Sequence, residues 1–327
     1  MELNITNPLA FAVPSFFLLI LVEYLLTYKH DKEYYNAKDF LASFQVALTS
    51  GIVALGTKAL SLLAFFALYE GLASWRLEVF GYEYLDWQLW WVWVLLFLGD
   101  DFSFYWYHRL SHTVRFLWAA HVVHHSSERF NFGNAIRNGI FTLFYKALFW
   151  MWLPALGFHP VMIVTVIGIS TIYQFWLHST KIPRLGFLEK IVNTPKNHAV
   201  HHSRNIEYLD KNHGGILLIW DHIFGTWQNA IHGVKPHYGI LKSPETYNPI
   251  KLNTHIFVDI INDVKKAKSF KEAFMYIFGP PGWSPDNSSF TAKQIQELYY
   301  SGEISADALF EGINVTEAQK NDPVEKK

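Results

Sequence analysis

What most constrains this chain is a series of apolar stretches long enough to cross a bilayer. A transmembrane helix needs about 20 mostly apolar residues, and residues 8–28 supply them with Glu23 as their one charge. No basic segment precedes this stretch and no small-residue cleavage site follows it, so it reads as a retained span and not a signal peptide. A second apolar stretch, 40–75, is interrupted by Gly51, Gly56 and Lys58. Its length leaves a kinked helix or a re-entrant segment open beside a single crossing. Residues 87–107 form a third stretch, rich in Trp, with Asp100 and Asp101 in its last third. Residues 139–157 and 161–177 form the fourth and fifth, joined through Phe158-His159-Pro160. The expectation is an all-α integral membrane protein of about five spans with a cytosolic, histidine-rich helical cap.

Composition agrees. Only 17% of the 327 residues are charged, against roughly 25% in soluble domains. An aromatic content of 17% excludes a disordered chain. The formal net charge of −1 removes the basic excess of a nucleic-acid binder. The absence of cysteine excludes disulfides, iron–sulfur clusters and thiolate metal sites. Any metal must therefore be held by carboxylates and by some of the 16 histidines.

Lys and Arg in short loops set orientation. Lys29, Lys32 and Lys38 follow the first span, and Arg109, Arg115, Arg129 and Arg137 follow the third. The loop between the second and third holds only Arg76 beside Glu78, Glu83 and Asp86. Five crossings then put the N-terminus outside and everything after His178 in the cytosol, in a bacterial cell across the inner membrane. Counting 40–75 as two crossings would break this parity. Three regions follow: N-terminal spans (1–86), a catalytic region (87–230) and a cytosolic C-terminal segment (231–327). Residues 252–278 look amphipathic, either lying in the anionic interface or packed as a surface helix. The tail from Asp286 reads as polar and loosely ordered.

Twelve of the histidines fall between His108 and His222. His108 and His112 form an H-x-x-x-H; His121, His124 and His125 form an H-x-x-H-H, which His198, His201 and His202 repeat. On a helix, residues three and four apart share a face, so each box can aim two or three imidazoles at one point. Adjacent histidines bring no packing advantage. Eight clustered imidazoles suit iron or zinc, and two ions better than one. His178, ending the fifth span at the same depth as the boxes, reads as a ninth ligand. Gln174, one turn earlier, either orients His178, fills a coordination gap or simply packs. Asp221 and Asp101 read as outer partners that orient ligands, since ligating imidazoles usually donate their other N–H to a carboxylate or carbonyl. His213 and His222 read as surface or capping residues. Lys58 and Lys146 are explained by snorkelling or interior pairing. The clusters of Trp90, Trp91, Trp93, Trp106, Phe149, Trp150, Trp152 and Trp176 line an acyl channel or form an interfacial aromatic belt.

Three boxes with these spacings, interleaved with spans, resemble the fatty acid hydroxylase/sterol desaturase superfamily, and within it the alkylglycerol monooxygenase-like branch. The likeness covers about Trp90 to Trp227. It is carried by Asp101-Phe102-Ser103-Phe104-Tyr105-Trp106-Tyr107-His108-Arg109, His121-Val122-Val123-His124-His125-Ser126-Ser127-Glu128, Tyr173-Gln174-Phe175-Trp176-Leu177-His178, Asn193-Thr194-Pro195 and Trp220-Asp221-His222-Ile223-Phe224-Gly225-Thr226. The resemblance implies a non-haem di-iron oxygenase that takes O₂, two external electrons and a membrane lipid, and converts a C–H bond to an alcohol. Loss of a second hydrogen would make it a desaturase, and hydroxylation beside an ether oxygen would cleave an alkylglycerol. It assigns His108, His112, His121, His124, His125, His198, His201 and His202 to the iron boxes and His178 to the additional histidine. That branch has a glutamate after the H-x-x-x-H where this chain has Thr113, which leaves the reductant open between tetrahydrobiopterin and a ferredoxin or cytochrome. The further C-terminal spans of the animal members are expected to be missing. The rival classes fit less well. A metal transporter wants polar ligands at mid-bilayer, and a zinc hydrolase wants about three protein ligands on one ion.

Overall fold

The computed structural model describes residues 12–305. Among them there is no β-strand, only helices and two isolated bridges. Helix α1 (Ala12–Thr27) leads into α2 (Ala37–Gly71), whose first turn is capped by the Asn36 side chain accepting from the Lys38 and Asp39 amides. Helix α2 continues through Gly51 and Gly56 for 35 residues, about 50 Å at 1.5 Å per residue, and α3 (Ala73–Phe80) follows. With its last residues in α3, the 40–75 stretch is thus one continuous helix as far as Gly71. It is the one described helix both long and apolar enough to cross a membrane; α1 and α9 (Pro160–Trp176) are shorter apolar helices. Its exposed side chains include Leu48, Ile52, Leu55 (76%), Leu60 and Leu63, an apolar surface along the helix.

Helices α4 (Trp90–Thr113) and α5 (Arg115–His125) are separated by one extended residue, Val114 (φ −112°, ψ 117°). That single break folds α5 back against the end of α4. The stretch expected as the fourth span is not one helix. It consists of a turn of α7 (Thr142–Tyr145), a 3₁₀ segment (Lys146–Trp150) and a turn of α8 (Trp152–Ala155), after the short α6 (Phe132–Ala135). The reason is packing. Trp150 and Leu153 turn inward onto Val92 and Leu96, and Trp150 Nε1 donates to Asp100 at 2.7 Å. Asp100 also accepts from Ser170 of α9, so it ties three segments together. The broken segment still travels a long way. Ser50 donates to Asn138 O at its start, while near its end Arg76 donates to Pro154 O and to Tyr69 O. Ser50 and Tyr69 lie 19 residues apart on α2, about 28 Å.

Past α9 come α10 (Pro195–His201) and α11 (Ile219–Ile223), then α12 (Pro249–Lys266), α13 (Phe270–Phe278) and α14 (Ala292–Tyr300). The amphipathic 252–278 stretch splits between α12 and α13, with Ser269 capping α13. Helix α12 packs on α5 and α2 through Leu252, and Asp263 pairs with Arg115 at 2.6 Å. Helix α13 buries none of its residues and exposes Phe270, Phe274 and Phe278 at i, i+4 and i+8. Of the tail from Asp286 expected to be loose, residues 306–327 lie outside the described residues, and Ala292–Tyr300 forms α14. A Thr291–Gln294 capping box starts it, and Ile295 packs against Ile206 and Ile304.

Candidate metal centre

Four pieces of chain meet at one end of the bundle. Helix α4 carries His108 and His112 on one face, the Val114 break returns α5 with His121, His124 and His125, and His178 follows α9. The third box rides on α10, whose start is fixed by Thr194 accepting from the Asn197 amide and by Pro195 at the first helical position. All nine histidines are buried. They sort into two adjacent groups, His108, His112, His121, His125 and His201 in one and His124, His178, His198 and His202 in the other, with ligand atoms inside each within 4.8 Å of one another.

The ring orientations are informative. Nδ1 donates outward to a backbone carbonyl in His108 (His213 O, 2.9 Å), His124 (Arg137 O, 3.1 Å), His178 (Gln174 O, 3.0 Å) and His201 (Lys211 O, 2.8 Å). A carbonyl accepts only, so Nδ1 carries the proton and Nε2 keeps a lone pair aimed inward. In the four-histidine group, Nε2 of His178 lies 3.2 Å from that of His124 and 3.0 Å from that of His198, which lies 3.1 Å from that of His202. Two nitrogens bound to one ion at about 2.1 Å would stand roughly 2.9–3.4 Å apart. In the five-histidine group, Nε2 of His112, His121, His125 and His201 has no hydrogen-bond partner despite burial. Unpaired inward lone pairs in a nitrogen-only, thiol-free set are what iron or zinc would satisfy. Burial also holds His121, His125, His198, His201 and His202 well below the usual imidazole range, and His124 at about 4, so the rings are neutral and ready to ligate.

One loop orients much of the first group. Asp210 Oδ1 stands 3.5 Å from His112 Nδ1, Lys211 O receives His201, and His213 O receives His108. The loop needs left-handed backbone at Asp210 (φ 54°) and Asn212 (φ 57°), a conformation only Asn, Asp and Gly tolerate readily. Asn212 fixes it further, donating to Asn197 O and Gln228 O.

The expected outer partners act one step removed. Asp221 accepts from the His213 and Gly214 amides and from Thr226 Oγ1, which positions the carbonyl that His108 needs. Asp101 accepts from the Ile216 and Leu217 amides and Trp220 Nε1, anchoring the same loop's continuation to α4. Gln174 orients His178 through its backbone carbonyl. Arg137 is a comparable anchor on the other group. Its carbonyl receives His124, while its buried guanidinium is held by Asp39 at 2.6 Å and by Ser43. His222 is on the surface as expected, donating to Lys190 O. His213 is not; it is fully buried, with its ring centroid 5.2 Å from that of His112 and 5.7 Å from that of His108. Sequence reasoning missed His213, Asp210, Asn212, Arg137 and Asp39. Only the Asp210-Lys211-Asn212-His213-Gly214-Gly215 run, dense in turn-forming residues soon after the third box, signalled that a constrained loop stood there.

Comparison with known proteins agrees with this geometry. Residues 93–226 match the family described as Fatty acid hydroxylase. The chain is 34% identical over 275 residues to the alkylglycerol monooxygenase of Homo sapiens, covering 84% of this chain and 59% of the relative, with the same figures for that of Danio rerio. It is 37% identical over 131 residues to ornithine lipid hydroxylase OlsE of Rhizobium tropici, covering 39% of each. The chain thus spans about three-fifths of the length of the alkylglycerol monooxygenases it matches. No solved structure matches it. The stretch that matches the Fatty acid hydroxylase family, residues 93–226, encloses both histidine groups and the loop that orients them.

Proposed function

We propose that this chain is a membrane-bound, O₂-dependent non-haem di-iron hydroxylase of a membrane lipid, with an ether lipid as the leading substrate class. The observation that carries this reading is the pair of adjacent buried pockets, one of five and one of four imidazoles, whose inward nitrogens are set by outward hydrogen bonds. Two ions held there would supply O₂ activation. His108, His112, His121, His125 and His201 would hold one and His124, His178, His198 and His202 the other. The reaction balances as C–H plus O₂, two electrons and two protons giving C–OH and water. At a carbon beside an ether oxygen the product is a hemiacetal, which collapses to an aldehyde and a free alcohol.

The chain's own residues contribute orientation and exclusion of water. Phe104 lies 5.3 Å from His108 and Tyr107 lies 6.3 Å from His121, so an aromatic wall joins the five-histidine pocket to the apolar core. We assign this wall to the alkyl chain and the opposite, loop-lined side to water and reductant. The roughly 28 Å from Ser50 to Tyr69 along α2 equals a hydrocarbon core of about 30 Å, which supports 139–157 as a crossing made by broken helix. Five crossings, an outer N-terminus and a cytosolic centre follow from the Lys and Arg distribution.

The first test is metal per chain in detergent-purified protein and in a variant carrying His124→Ala and His201→Ala. Two irons lost together in the variant support the dinuclear centre. One ion, or a content unchanged by the substitutions, overturns it. A lipid panel run with a pterin, and separately with a ferredoxin or cytochrome, then tests substrate and reductant.

A further inference from the structure

A third group of ligating side chains borders the five-histidine pocket and shares His112 with it. His112, Asp210 and His213 bring ligand atoms within 4.8 Å of one another. His213 is fully buried, and neither ring nitrogen has a hydrogen-bond partner. A neutral imidazole has one N–H and one lone pair, and leaving such a group unpaired in the interior costs about 1–3 kcal/mol. The carboxylate nearest His213 Nδ1 is Asp221 at 4.0 Å, beyond hydrogen-bond reach, and its oxygens are already taken by two amides and Thr226. Asp210 stands 3.5 Å from His112 Nδ1, also too far for a sound hydrogen bond, and its side chain is 36% exposed. The group is therefore under-satisfied within and open to water on one side.

We propose that Asp210 and His213, with the outward nitrogen of His112, form an exchangeable site for a divalent cation beside the five-histidine pocket. The donor set narrows the class of ion. One carboxylate oxygen and two imidazole nitrogens suit a transition-metal ion such as iron, zinc, nickel or copper; calcium and magnesium, which take oxygen ligands, are excluded. The outer site does not rest on the proposed dinuclear centre.

The test uses Zn²⁺ as probe on the full chain, iron-loaded in detergent. Wild type should take up one zinc beyond its iron. His213→Gln keeps the backbone carbonyl that receives His108, and it should weaken the extra zinc about tenfold or more. Asp210→Asn should do the same through a partly exposed side chain, so it carries the comparison if His213→Gln fails to fold. Zinc uptake equal in wild type and both variants overturns the outer site, whatever the inner stoichiometry. A wild type that holds no iron but still binds zinc through Asp210 and His213 upholds the outer site and removes the dinuclear reading.

Discussion

The Nδ1–H of His108 donates to the carbonyl of His213, 105 residues later, at 2.9 Å. A residue on the apolar helix α4 thus takes its tautomer from a loop beyond the third histidine box. That loop is held from below by Asp221. Replacing Asp221 with alanine strands the buried His213 and Gly214 amides. The expected loss is about 2–4 kcal/mol of stability and 10- to 100-fold in metal affinity. A thermal melt and a metal titration check the two separately.

Arg137 and Asp39 offer a sharper comparison. Both are buried and paired at 2.6 Å, and the Arg137 carbonyl orients His124. Removing one partner of a buried pair is expected to cost about 3–5 kcal/mol, because the other charge is left uncompensated. Asp39→Ala should therefore be strongly destabilising, and Asp39→Ala with Arg137→Met markedly less so. Denaturation of the two variants side by side decides it. A double variant no better than the single one would show that the lost charge is not the cause.

Acid should release the metal and then loosen the protein. Burial holds His121, His125, His198, His201 and His202 well below their unfolded value of about 6.5, and lowers His124 to about 4. Below pH 6.5 the unfolded chain takes up protons that the folded one refuses, so stability falls as pH falls. The contribution is complete above about 6.5 and is lost progressively towards pH 4. Metal affinity declines in the same direction, since each ligand must be neutral. Metal retention and melting temperature followed from pH 8 to pH 4 should drop together; retention flat down to pH 4 would contradict this account.

Gly139 gives a purely steric prediction. A Cβ there would stand 2.2 Å from the Ala120 carbonyl, a backbone atom one residue before His121. The clash cannot be relieved by a side-chain rotation, so Gly139→Ala must displace α5. The expected cost is about 1–3 kcal/mol, with weakened metal binding as the more sensitive readout.

The histidines were legible because their chemistry is written in local spacing. His108 and His112, or His121, His124 and His125, share a helix face wherever the helix goes. Their partition into two groups was not legible, because His124 and His125 are neighbours yet face different pockets, a matter of helix phase that only packing decides. The orienting groups were hidden for a different reason. Four of them act through backbone carbonyls (Arg137, Gln174, Lys211 and His213), which carry no side-chain signature at all. Helix α2 continues through its glycines, and neither Gly51 nor Gly56 has another atom within 4 Å of where a Cβ would stand. The broken 139–157 segment misled in the opposite sense. Its composition is that of a span, while the inward turn of Trp150 and Leu153 is set by partners on α4.

The one-residue break at Val114 also orders assembly in time. It makes His108, His112, His121, His124 and His125 a single local unit, formed as soon as α5 folds back on α4. Neither pocket is complete at that stage. Each still awaits a residue of α10, and bringing that helix home closes a loop of some 70 residues, an entropic barrier of about 4 kcal/mol. Until α10 docks the centre is a half-built cradle, and a cation bound there would lend its binding energy to that loop closure.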